Sequence, residues 1–392
     1  MKLTYYYSAC VSIETKAIKI LCDPWVTQGI YEGAWYHAPK PLDPNILLEQ
    51  DFDLIWISHI HPDHYDPAFL RLYAATHPNT EIKVSDFKNN YLLEQMKRDG
   101  IKALPCRGII TSETTIYCKE QEAGLDAALV VIEGQNSIVN MVDCQTDIEQ
   151  IKRIKAVLPN GSATIALLPY TGAGPYPQTY YSDHDTLLEK SRELQQEFFR
   201  RYDERKALLN PKYTIPFAGQ YILGGKLAHL NQYRCAIDAV EVTEHDSDAI
   251  VLNSGGTLSL DPYMVTGRRL ARYTHDELEA RRLEISTYPM AWDADPVPQK
   301  VTLDTLLISA VSTPPPDGWT VQFQLLDKTI AFGSGDNLLC LYVDPRLLYR
   351  LLTGRTNWWD AMIGSLFEAR RTPDAYEPAL DEWLANLTIS IS

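Results

Sequence analysis

The chain has 392 residues, enough for two or three domains, with 45% hydrophobic and 22% charged residues, as in an ordinary globular protein and unlike a disordered one. The formal net charge of −15, from 51 acids and 36 bases, comes with no basic cluster, which argues against nucleic acid as a partner. No run of about 18 apolar residues offers a membrane span. The alternating N-terminus lacks the apolar core of a secretory signal. Seven scattered cysteines read as reduced thiols of a cytoplasmic protein rather than a disulfide framework.

In chain order, short apolar runs bounded by turn residues predict strands at 2–7, 17–21, 54–58, 82–84, 129–132, 138–142 and 164–168. Helical periodicity lies between them at 67–76, 89–98 and 147–157. The pattern is that of an α/β chain whose central strands are buried between layers. A long amphipathic helix follows at 183–209, stopped by Asn210-Pro211, and its EFFRRYDERK stretch reads as a solvated charged face. Strand-like pieces resume at 213–216 and 249–252. Beyond Asp261 the character changes to a charged helical stretch at 268–286 and proline-marked loops. Strands at 320–326, 329–331 and 338–342 and a helical C-terminus complete the chain. This predicts two domains, 1–261 and an α+β accessory domain over 262–392.

The sharpest feature is DLIWISHIHPDHYD, residues 53–66. A buried strand feeds directly into His59-x-His61-x-Asp63-His64. Alternation along extended backbone puts His59 and His61 on one side, and Pro62 then turns Asp63 and His64 toward an adjacent position. Imidazoles with carboxylates suit zinc or iron, and this spacing supplies ligands for two ions from one loop.

This HxHxDH run resembles the metallo-β-lactamase superfamily, which implies an αββα sandwich with metals at the edge of the paired sheets. The resemblance implies an acid after a later strand, bridging both ions. SIVNMVDC supplies Asp143, and Cys144 beside it reads as a buried small residue. Several segments are also similar to the CMP-N-acetylneuraminate hydroxylase family: 22–41, 53–72, 138–144, 171–180, 213–221 and 358–380, in family order. That family carries a Rieske [2Fe–2S] domain, whose Cys₂His₂ pattern this sequence does not show. The resemblance therefore implies an external electron donor, either a protein or a small reductant.

The usual superfamily histidine before Asp143 is replaced. Aligned back from Asp143, its position falls at Glu122, with Asp126 a nearby competitor. The resemblance then implies a proximal ion held by His59, His61, Glu122 and Asp143. The distal ion has Asp63, His64, Asp143 and one more ligand, either His184 or His229. Two histidines with carboxylates favour iron, as in 2-His-1-carboxylate and di-iron sites, and resemble the di-iron hydroxylases of this fold. The function implied is O₂-dependent hydroxylation or oxidation of a small molecule at two iron ions. Zinc- or manganese-dependent hydrolysis of an ester, lactone or phosphoester is the alternative, with Asp63 orienting water and Asp143 bridging. A metal-free binding protein is disfavoured by the intact ligand run.

Candidates for substrate contact are His37, after the second strand, and Tyr170 and Tyr176, beside and within the Gly/Pro-rich segment 171–180. Lys226, in IPFAGQYILGGK, could meet an anionic group. The Trp358-Trp359-Asp360 segment reads as packing of the accessory domain onto the metal domain.

Overall fold

A computed structural model describes residues 1–121, 126–325 and 328–389. Two sheets face each other. The first has eight strands, in the spatial order Tyr263–Arg268, Leu252–Leu260, Lys2–Tyr7, Cys10–Glu14, Lys19–Cys22, Leu54–Ile57, Glu81–Ser85 and Leu104–Cys106. The second has six: Tyr213–Phe217, Ile165–Pro169, Asn136–Asn140, Ala127–Glu133, Thr114–Glu120 and Gly108–Ile110. Period-two alternation explains the layering. Along Leu54–Ile57, Leu54 and Trp56 enter the core between the sheets, while Ile55 and Ile57 enter the core under the outer helices.

Helices Pro67–Thr76 and Tyr91–Arg98 cover the first sheet, and Ile148–Lys155 and His184–Leu209 cover the second, completing the expected αββα sandwich. Asp66 caps the first of these by accepting the Phe69 N–H at 3.0 Å, with Pro67 at its first position. The stretch 268–286 divides. Its first residue ends a strand, and the helix starts only at His275, after a Thr274/Glu277 capping box.

The C-terminal part holds a four-stranded sheet, Thr329–Gly333, Trp319–Gln324, Asn337–Tyr342 and Glu368–Thr372, with helices Pro345–Leu352, Trp358–Ile363 and Pro378–Ala385. The division expected at 261/262 falls in the turn of a hairpin. Its second strand, Tyr263–Arg268, still belongs to the first sheet. Trp319, Phe323, Leu347 and Trp358 join the same buried cluster as Ile55, Phe69 and Tyr73. The accessory part therefore shares a core with the sandwich. No helix among the described residues is long and apolar enough to cross a membrane. All seven cysteines are unpaired, and Cys144 is fully buried, as expected.

Candidate metal centre

The site forms where parallel strands of both sheets end. Lys19–Cys22, Leu54–Ile57 and Glu81–Ser85 run parallel in one sheet, and Asn136–Asn140, Ile165–Pro169 and Tyr213–Phe217 in the other. Chain leaving the carboxyl ends of such strands is free of the ladder and can present side chains to a shared crevice. Asp23 leaves the first, Ser58 to His64 the second, Asp143 follows Asn136–Asn140, and Thr171 and Gly219 follow the last two.

His59 and His61 point the same way while Ile60 between them is exposed, as alternation requires. His59 Nε2 and His61 Nδ1 approach to 2.8 Å. The turn that follows, closed by the His64 N–H on the His61 carbonyl at 3.0 Å, brings His64 Nε2 to 3.4 Å from Asp63 Oδ2 and 3.3 Å from Asp143 Oδ2. His59, His64 and Asp143 offer ligand atoms that all lie within 4.8 Å of one another. Asp126 also reaches the group, with Oδ1 3.8 Å from His59 Nδ1. Glu122, its rival for that place, lies outside the described residues.

A supporting layer fixes the ring orientations. Asp23 Oδ1 accepts the Ser58 N–H at 2.8 Å, and Oδ2 accepts the Ser58 hydroxyl at 2.6 Å and lies 2.8 Å from His64 Nδ1. Since Ser58 donates to Asp23, it acts as acceptor toward His59 Nδ1 at 2.9 Å. Both rings then carry their proton on Nδ1 and present Nε2 to the crevice, the arrangement that outer-layer carboxylates impose on metal-binding histidines. A second aspartate locks the same loops, for Asp66 accepts from Val26 N and Thr27 N at 3.0 and 2.7 Å. Tyr31 donates to Asp63 Oδ1 at 2.9 Å.

The backbone around the crevice is strained. Ser8, Asp23, Tyr31, Glu32, Val142 and Ala218 all have positive φ, including 43° at Asp23 and 42° at the β-branched Val142. Such conformations persist where surrounding structure enforces them, commonly at functional sites.

The donors fit metal ions. Burial, then the neighbouring His64, holds the His59 imidazole down at about 4, and burial and His59 lower His61 as well. Both are neutral ligands at pH 7. Burial pulls His64 down, but the carboxylates of Asp143, Asp63 and Asp23 outweigh it and raise its pKa. Burial raises Asp126 too, and Asp143 adds to that. Carboxylates crowded round imidazoles in a buried crevice therefore call for positive charge. His64 Nε2 is itself buried without a hydrogen-bond partner. A cation at that atom supplies both needs.

Four of the donors, His61, Asp63, Asp126 and Asp143, line a cleft of about 230 Å³. Tyr170, Thr171, Phe198 and Arg205 line it too, as does Ile363 of the accessory part. The accessory part is tied to the turn that carries Tyr31. Thr356 donates to Glu32 at 2.9 Å, and Arg350 pairs with Glu32 at 3.3 Å. A larger cavity of about 540 Å³ adjoins the cleft, sharing Tyr170, Gly219 and Tyr221 with it.

Several expected positions fall elsewhere. His184 is exposed at the start of the long helix, with Nδ1 3.0 Å from the Tyr233 hydroxyl. His229 lines the larger cavity, with Nδ1 2.9 Å from the Lys226 carbonyl oxygen. Neither closes the centre, because the loop after Ile165–Pro169 carries the chain past the cleft before His184 is reached. His37 lines neither cavity. It is fully buried, its ring 4.0 Å from that of Tyr7 and 4.3 Å from Trp25, and its Nδ1 accepts the Leu42 N–H. Tyr176 turns to the accessory part and bonds Asp374 at 3.3 Å. Lys226 pairs with Asp344 at 3.2 Å. Tyr170 lines both cavities.

The charged helix corrects another expectation. Arg201 and Arg205 line the cleft, and Arg205 is only 4% exposed. Their i, i+4 spacing was the available signal, masked by the acids between them. Asp23 and Tyr31 lie within the 22–41 segment, but nothing local marks them as supports for residues some 30 to 40 positions later.

A Mycobacterium tuberculosis (strain CDC 1551 / Oshkosh) protein named "Putative Rieske 2Fe-2S iron-sulfur protein" is 28% identical over 258 residues, 59% of this chain and 46% of that protein. Cytidine monophosphate-N-acetylneuraminic acid hydroxylase of Danio rerio is 24% identical over 238 residues, 56% of this chain and 38% of that one. The chain thus spans less than half the length of these curated relatives. Among solved structures, CmlA, a diiron β-hydroxylase from Streptomyces venezuelae, superposes with a TM-score of 0.38 at 16% identity, over 55% of this chain and 44% of that one. The isothiocyanate hydrolase from Delia radicum gut bacteria gives 0.45 at 16% identity, over 66% and 98%. Residues 2–198, half of the chain, match the family model of the beta-lactamase superfamily domain, and the chain belongs to that family.

Proposed function

We propose that the protein is a non-haem di-iron oxygenase that hydroxylates or oxidises a small molecule, using O₂ and electrons from an external donor. The observation that carries this is the donor set. All nine histidines of the chain are described, and only His59, His61 and His64 reach the centre; the other donors there are carboxylates, Asp63, Asp126 and Asp143. A histidine-rich set leaves a zinc ion strongly Lewis-acidic, whereas anionic oxygen donors stabilise the oxidised states of iron. Similarity to a hydroxylase supports the same choice.

Bound iron would supply O₂ activation and electron transfer. The chain's own residues do the rest. His59, His61 and His64 hold the ions through Nε2 or Nδ1, with Asp143 placed between the His64 side and the cleft. Asp23 and Ser58 keep the His59 and His64 rings in register. Tyr31 fixes Asp63 through its hydroxyl. The aromatic and apolar sides of the cleft, with Ile363 from the accessory part, exclude bulk water from the reacting position.

The test is elemental analysis of protein purified without added metal, followed by O₂ uptake after chemical reduction. Two irons per chain and O₂ consumption are expected. Zinc- or manganese-loaded protein that takes up no O₂ and cleaves esters, lactones or phosphoesters would replace this proposal with the hydrolase.

A further inference from the structure

The cleft has a second charged feature that metal binding does not use. Arg205 stands on the helix His184–Leu209, 4% exposed, and lines the cleft. Among the described residues no hydrogen bond or ion pair engages its guanidinium, and Nε is buried without a partner. Its nearest basic neighbours on the same helix all have carboxylate partners. Arg201 pairs with Glu197 at 2.7 Å, Arg200 with Glu197 at 2.7 Å, and Lys206 with Asp246 at 2.5 Å. The Thr171 hydroxyl, in the lining of the same cleft, is also buried without a partner. Buried polar groups are almost always bonded, and a buried unpaired cation is among the costliest arrangements a fold can keep.

We infer that Arg205, aided by the Thr171 hydroxyl, is the anchor for an anionic group, carboxylate or phosphate, on the molecule that reacts at the metal centre. The guanidinium fork matches either group through two parallel N–H···O bonds. With metal ions offsetting the acidic donors, Arg205 makes the cleft attractive to a negative charge. The cleft of about 230 Å³ takes a small charged head, and the adjoining cavity of about 540 Å³ takes what is attached to it. This inference rests on the cleft being the reaction chamber and is indifferent to whether the ions are iron or zinc.

The test uses the purified metal-loaded protein and three probes of one shape: benzoate, phenyl phosphate and neutral benzamide, titrated calorimetrically. At least one anion is expected to bind about tenfold to a hundredfold more tightly than benzamide. Which anion does so separates carboxylate from phosphate recognition. Arg205→Met is expected to abolish that preference, keep full metal content and melt higher by about 2 °C or more, because it removes an unpaired buried charge. Arg205→Lys is expected to keep part of the preference, and Thr171→Val to weaken it. Equal binding of anion and amide by the wild type overturns the inference. So does a preference that survives in Arg205→Met, which would place the anion on the metals alone. An Arg205→Met variant that loses metal or melts lower would make Arg205 a structural charge and overturn it as well. Metal analysis and O₂ uptake, run separately, report on the di-iron proposal without touching this result.

Discussion

The two sheets contribute to the centre in different ways. The edge of the first delivers His59, His61, Asp63 and His64 from a single turn, braced by Asp23 and Ser58. The edge of the second delivers Asp126, Asp143, Thr171 and Arg205 from four separate segments, and leaves the last two unbonded. The first wall is a closed hydrogen-bonded unit suited to holding something permanently. The second has no such brace beside its donors, since the bonds that tie its helix to the sheet meet at Asp246, and its free donors suit something that comes and goes.

Substitutions can break or sharpen that contrast. The largest effect is expected at the ions. His59→Ala and Asp143→Ala should each lose metal that the wild type retains through desalting, together with activity, by elemental analysis. Wild-type metal content in either variant would remove that residue from the centre. Next comes the brace of the first wall. Asp23→Asn leaves its shape but weakens its hold on His64 Nδ1, and should cost about 10- to 100-fold in metal affinity, read by competition with a chelator.

The second wall depends instead on Asp246. This 3%-exposed carboxylate accepts from Tyr202 at 2.8 Å, Thr214 at 2.7 Å and Lys206 at 2.5 Å, tying the Arg205 helix to the strand Tyr213–Phe217. Asp246→Ala should destabilise the fold by about 3 kcal/mol at pH 7, measured by chemical denaturation. Burial raises the Asp246 pKa, but the Lys206, Thr214 and Tyr202 bonds outweigh it and leave it below the ordinary carboxylate value. Its contribution is therefore fully present above about pH 4 and declines as pH falls through the depressed value, so the variant and wild type should converge in acid. A constant gap down to low pH would contradict this. The smallest effect is expected at Lys226→Ala, whose half-exposed pair with Asp344 should cost about 0.5 kcal/mol and leave substrate affinity unchanged.

The same contrast explains what could be read from the sequence. The first wall is local: strand alternation, Pro62 and the His/Asp spacing carry its geometry within eight residues, and the αββα layering follows from buried strands between helical patterns. The second wall is not local. Asp143 was found only through the family pattern, and Arg205 was hidden in a run whose acids and bases look solvated. The lone histidines misled for a related reason. His184 and His229 have the right chemistry, but nothing in their neighbours tells which way the chain runs past the cleft. His37 sits in an aromatic stretch that folds inward against Tyr7 and Trp25, where burial depends on residues far away in the chain. The hairpin 252–268 was missed because its glycines interrupt the alternation that marks a strand.

The central claim is a pair of irons held by His59, His61 and His64 together with the carboxylates of Asp63, Asp126 and Asp143. Anomalous X-ray scattering across the iron and zinc edges, from crystals grown without added metal, addresses it most directly. Two iron peaks within bonding distance of those side chains are predicted. Zinc-edge signal alone, or imidazoles turned apart with no metal between them, would contradict it.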